Sequence, residues 1–212
     1  MKLRKCIMAC VVAAAVVVTS AVTAMAAGSI DKNGKVNGNQ IPNGYKLEVT
    51  KEDTPVYPEI QKIYKILPQA IVSVNKGEYK MKDFIADMNK EAAQNTDLTE
   101  AVKENLTQIA EKLEGTEFVT VFYSLKKEEN LGVEIKKTED GKYKVPLTLE
   151  NLTKDLTGLK VLAYNAVKGE WEIIEIPADA IDVENHTVTF ALEDISPVSY
   201  THLRAHETSQ DL

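Results

Sequence analysis

The chain has 212 residues, with 32 acidic against 25 basic side chains, a formal net charge of −7 and two cysteines. An acidic balance is a poor match for nucleic acid or an anionic membrane surface, whose phosphates it repels. The length allows one domain, or one small domain with a helical lead-in, large enough to bury a core without disulfide staples.

Lys2, Arg4 and Lys5 precede an apolar run over residues 7–18, and Ala24-Met25-Ala26 places small residues at −3 and −1 of a cleavage site. This three-part order predicts a signal peptide over residues 1–26, with Ala24 and Ala26 as the positions the peptidase reads. Residues 6–30 carry no charge, so length alone would permit a membrane span, but their Ala, Thr and Ser content weakens transfer into lipid. Cys10 precedes most of the apolar run instead of following it, which excludes a lipoprotein box. Cleavage removes Cys6 and Cys10 together, leaving a mature chain with no disulfide, thiol nucleophile or thiolate metal site.

Residues 27–43 hold Asn33-Gly34 and Asn37-Gly38, with Asn43-Gly44 at the end, and read as a flexible leader of tight turns. Asp31-x-Asn33 hints at a calcium loop, but Lys35 and Val36 stand where such a loop needs an oxygen ligand and a glycine. Residues 44–115 are expected to be helical with one or two short strands. Residues 45–50 alternate and suggest one strand; Ile71 to Val74 is a short apolar run that suggests another. Ile60, Ile63, Tyr64 and Leu67 recur at helical spacing over 58–67, with Pro68 beyond the end. Met81, Phe84, Ile85 and Met88 predict a second helix to about Ala93, and its methionines are core fillers. Leu98, Val102, Leu106, Ile109 and Leu113 predict a third, capped by Thr96 and ended by Gly115.

From Phe118 the period changes from helical to two. FVTVFYSL reads as a central strand, and Glu139-Asp140-Gly141 as a hairpin turn between residues 133–135 and 143–149. Pro146 suggests that the second arm lies at an edge. Residues 160–164, 171–176 and 187–192 are three further strands; in the last, Val188, Phe190 and Leu192 share a face. The fold class is therefore α+β: an N-terminal helical region followed by an antiparallel β-sandwich over residues 116–197.

Val198 to Thr208 reads, residue for residue, as a translated library adapter, so residues 198–212 are expected to be a non-native tail and the natural chain to continue past Pro197. His202 and His206 then carry no chemical argument. Setting aside the three positive charges of the leader and the net −1 of the tail leaves −9 on the remainder.

Lys160-Val161-Leu162-x-Tyr164, Trp171-Glu172-x-Ile174, Val188-Thr189-Phe190 and Asp194-x-Ser196-Pro197, with the opening 28–34 and 44–50, resemble uncharacterised small exported surface proteins of Gram-positive bacteria. The resemblance implies secretion, a C-terminal β-module and a wall-sorting or membrane anchor after the Ser-Pro strand. It supplies no catalytic residue.

Motifs for nucleophilic, metal or phosphate chemistry are missing, so no catalytic residue, metal site or cofactor is assigned. His186, the histidine outside the tail, starts a strand after a turn, where a solvated imidazole is the ordinary outcome. Glu170, Glu172 and Glu175 crowd Trp171; two of them on one strand face, about 7 Å apart, form a solvated face more readily than an acid–base pair. Asn105, Asn151 and Asn185 open glycosylation sequons that matter only in a eukaryotic secretory pathway. Tyr143, Tyr164 and Trp171 are the candidate binding residues, because exposed aromatics stack on sugar rings; the opposing expectation packs Trp171 between the sheets. The expected role is a non-catalytic cell-surface or wall-associated structural, spacer or adhesion module. A carbohydrate-binding module is the alternative and an extracellular hydrolase the third reading. Its partners would be cell wall or an extracellular protein or glycan, with membrane reached only through the signal segment or a C-terminal anchor.

Overall fold

A computed structural model describes residues 11–14, 29–30, 36–37, 45–54, 56–118, 120–127, 138–149, 152–153, 158–166 and 168–192. The cleavage positions Ala24 and Ala26, the hairpin arm 133–135, the Asp-x-Ser-Pro segment and the tail 198–212 lie outside these residues.

Four short strands lead the chain: β1 (Val11–Ala14), β2 (Ser29–Ile30), β3 (Val36–Asn37) and β4 (Tyr45–Val49). Helices α1 (Val56–Gln61), α2 (Leu67–Asn75), α3 (Met81–Gln94) and α4 (Glu100–Leu113) follow. Among the described residues six strands follow, β5 (Val121–Lys127), β6 (Tyr143–Leu149), β7 (Lys160–Asn165), β8 (Glu170–Glu175), β9 (Ile181–Asp182) and β10 (Thr187–Leu192), with one 3-10 turn at Ala178–Ala180 before β9. The class is α+β.

Helix α3 forms where the apolar spacing calls for it and buries Met81, Phe84 and Met88 on one face. Its first turn is closed by Asp83, whose Oδ2 accepts the Lys80 N–H at 2.9 Å. Helix α4 buries Leu106, Ile109 and Leu113, and Gly115 leaves it at φ +72°, a conformation that costs glycine little.

Three local expectations are corrected. Ile71 to Val74 is not a strand but the middle of α2, which is buried along nearly its whole length. The run 58–67 does not form one helix, because α1 ends at Gln61 and Leu67 opens the next. Pro68 therefore stands in the first turn of α2, where its missing N–H would have had no helical partner anyway. The cap of α4 is Thr99, not Thr96: Thr99 Oγ1 accepts from Val102 N at 3.4 Å. Asp97 lies before the helix and pairs with Lys65 Nζ at 2.6 Å.

The strands make three sheets, ordered β1-β5-β4, β3-β2-β6-β10-β9 and β7-β8. All pairings are antiparallel except β2 with β6. In the five-stranded sheet Val145, Leu147 and Leu149 of β6 and Val188, Phe190 and Leu192 of β10 are buried, and the residues between them are not. Leu149 N donates to His186 O at 2.6 Å, so by alternation Pro146, opposite Thr189, falls at a position without ladder bonds to β10. Its missing N–H thus faces the other edge, which β2 reaches only at Thr148 and Leu149.

One continuous cluster of buried side chains joins helices and strands, from Ile60, Ile71, Phe84 and Leu106 to Phe122, Leu147, Val161, Trp171 and Phe190. Helix α2 packs against β5 and α4 against β8. Among the described residues no helix is long and apolar enough to cross a membrane.

Candidate functional site

Trp171 stands at the centre of an aromatic cluster, with only 1% of its surface exposed. It meets Tyr164 on the neighbouring strand at 5.3 Å between ring centroids, Phe84 of α3 at 5.9 Å and Phe122 of β5 at 6.1 Å. Phe84 in turn touches Phe118 and Phe122 at 5.6 and 5.2 Å. Edge-on and tilted pairs of this kind add about 0.5–1.5 kcal/mol each beyond their buried area. Trp171 thus packs on helices as well as on strands.

The backbone of Trp171 is held as firmly as its ring. Asn105 of α4 accepts the Trp171 N–H at Oδ1 (3.0 Å) and donates Nδ2 to the Trp171 carbonyl (2.9 Å). A side-chain amide here takes the place of a further strand. It also ties up the acceptor of one predicted sequon, whereas Asn185 is exposed and Asn151 lies outside the described residues.

Tyr164 is fully buried, and its hydroxyl and the Trp171 indole N–H have no hydrogen-bond partner among the described residues. Tyr64, 6.0 Å from Tyr164 ring to ring, donates its hydroxyl to the Gly169 carbonyl at 2.7 Å. That bond clamps the β7–β8 turn, where Gly169 has φ +71° and an added Cβ would meet Ile63 Cδ1 at 2.7 Å. Burial pushes the phenol pKa of both Tyr64 and Tyr164 far up, and neighbouring Glu91 and Glu170 add to the effect at Tyr64.

Of the three candidate binding aromatics, the structure brings Tyr164 and Trp171 together, but inside the core. Tyr143 is half-buried, opposite Leu192 on the five-stranded sheet.

Two of the glutamates beside Trp171 are engaged in separate ion pairs. Glu172 is engaged by Lys168 Nζ at 3.1 Å and by Asn165 Nδ2 at 3.2 Å. Glu175 pairs with Lys160 at 2.8 Å. His186 is half-buried at φ +50°, and its Nδ1 has no partner among the described residues. Nearby, hydrogen bonds from Asn185 hold the exposed Asp182 carboxyl below its usual range.

Sequence reasoning missed the charged group that is buried most completely among the described residues. Glu91, 0% exposed on α3, accepts the backbone N–H groups of Lys65, Ile66 and Leu67 at the start of α2 and the Asn95 amide at 2.7 Å. A carboxylate on the unpaired amides of a helix start is matched both by hydrogen bonding and by the helix dipole. Its spacing within α3 was visible, but the partner lies 24 to 26 residues away.

A cleft of about 490 Å³ opens between the start of α3 and the segment after α4, lined by Tyr79, Met81, Lys82, Ile85, Glu117 and Phe118 among others. Its mixture of apolar, aromatic and oppositely charged lining residues defines no single ligand. Among the described residues no group of three His, Cys, Asp or Glu is placed to hold a metal ion. No family model, curated protein or solved structure matches the chain.

Proposed function

We propose that the protein is a non-catalytic, exported cell-surface or wall-associated module with a structural, spacer or adhesion role. The observation that carries this reading is the position of Trp171 and Tyr164. The aromatic groups best suited to stack on a sugar are consumed in packing the core, which counts against the carbohydrate-binding alternative. The three-part leader supports the exported location. Expression of the gene in a Gram-positive host tests it: most of the protein should appear in the wall or culture fraction with Ala27 as its first residue. Retention in the cytoplasm with Met1 intact would overturn the reading.

We infer further that the strands of residues 116–197 form a sandwich, with the five-stranded sheet facing the β7–β8 ribbon. Supporting this, β7 is buried continuously from Val161 to Asn165, as a strand covered on both faces must be. The inner residues of β6 and β10 belong to the same buried cluster. A double-mutant cycle between Val161→Ala and Phe190→Ala should give a coupling above about 0.5 kcal/mol. Strict additivity would leave the two sheets as separate layers.

A further inference from the structure

Strand β5 is bordered on one side by β4 and on the other by β1. The Phe122 carbonyl accepts from Thr50 N at 2.7 Å, and the Phe122 N–H goes to Asn75 Oδ1. Both groups therefore face β4. Since backbone groups alternate along an antiparallel ladder, Val121 and Tyr123 turn theirs the other way, toward Ala14 and Val12, which lie opposite them. Strand β1 also runs beside β7. Among the described residues β7 has β8 as its hydrogen-bonded neighbour, although β7 itself is deeply buried. Val11–Ala14 thus fills the slot along the β5 edge, close to β7, and these four residues belong to the segment read as a cleaved leader.

Buried backbone groups require partners, and an open edge of this kind is a template for another strand. We propose that the slot is a strand-acceptor site: once the leader is removed, it takes an extended, uncharged segment of a partner polypeptide, antiparallel to β5. This inference rests on the leader reading above. The chemistry of the occupant follows from the slot. Its wall on β5 is Val121, Phe122, Tyr123 and Ser124, a set without charge, so a charged residue entering there would be desolvated without compensation. The strand that fills it now is Val-Val-Ala-Ala. In strand addition the main chain supplies affinity and alternate side chains supply selectivity.

The test uses the full chain with a site-specific protease sequence placed after Ala26, followed by amide hydrogen exchange at Val121 and Tyr123. Both amides should exchange slowly before cleavage and on the order of 100-fold faster once the released segment is washed away. A lysine-flanked Val-Val-Ala-Ala peptide should restore protection, and the same peptide with proline at its second valine should not. Slow exchange after cleavage, or no protection by the peptide, overturns the proposal. Protection that returns with protein concentration alone would make a second copy the occupant and overturn the partner-strand form. If cleavage unfolds the chain, as Trp171 fluorescence would reveal, refolding with the peptide supports the site and failure to refold removes it. Because the protease cut is made in vitro, a host that leaves the leader in place sinks the export reading without deciding this one.

Discussion

Two strand edges in this molecule meet the same requirement by different means. At the outer edge of β8, the Asn105 amide satisfies both backbone groups of Trp171 from the neighbouring helix α4. At the outer edge of β5, the backbone is satisfied by β1, a strand from residues 11–14. Asn75 plays a part like that of Asn105 on the opposite side of β5, where it bonds to Thr50 and Phe122. A side-chain amide closes one residue of an edge and belongs to the folded domain. A strand closes several, but here it comes from a segment expected to leave. One edge is sealed by a side chain of a neighbouring helix and the other by a strand from far along the sequence.

The largest way to break this contrast is to empty the sealed side. Trp171→Ala should cost about 3–5 kcal/mol, read from the urea midpoint; a loss below about 1 kcal/mol would show that the aromatic cluster does not carry β8. Asn105→Ala should cost about 2–3 kcal/mol by leaving the Trp171 backbone groups unpaired. Hydrogen exchange sharpens the comparison, because Asn105→Ala should speed the Trp171 amide alone, whereas Val12→Pro in the uncleaved chain should speed Val121 and Tyr123 and spare Trp171. Matching exchange patterns for the two variants would mean that the edges are not independent. Glu91→Gln should cost about 2 kcal/mol, since an amide nitrogen would then face N–H donors at the start of α2.

The pH dependence separates the buried clamp from the exposed turn. Tyr64 and Tyr164 ionise near 10.0 when unfolded and well above that when folded. The native state therefore holds more protons above pH 10, and stability falls as pH rises. The loss is about 1.4 kcal/mol per pH unit for each tyrosine, and Tyr164→Phe should lower the slope by about that one share. The Asp182 carboxyl has the opposite sign: its folded pKa is lowered, so its contribution is present above the unfolded pKa and is lost as pH falls through the folded one. It is exposed, and Asp182→Ala should leave the urea midpoint essentially where it is. A larger effect in a denaturation series at neutral pH would show that the β9–β10 turn braces the sheet.

Helices α3 and α4 and the alternation of β10 were legible because each rests on side-chain spacing within its own segment. Helix α2 was not, because Ile71-Val72-Ser73-Val74 suits a strand by local preference and Pro68 reads as a stop. What makes it a helix is burial on nearly every side together with the Glu91 carboxylate at its start. Tertiary packing overrides local propensity in such a run. Among the candidate binding residues, the burial of Trp171 was anticipated on general grounds, but between two sheets and not against a helix. Its neighbours Phe84 and Asn105 were not, since nothing in local spacing links residues 66 or more apart.

Chain chemistry alone thus determined the leader pattern, the acidic balance, the change from helical to alternating period and the side of each strand that must be apolar. These depend on composition and on distances of a few residues. Only the three-dimensional arrangement decided that the aromatics are core, that Glu91 caps a distant helix and that residues 11–14 lie against β5. Each of those requires groups far apart in sequence to be brought within hydrogen-bond or van der Waals reach, and no periodicity encodes which of them will meet.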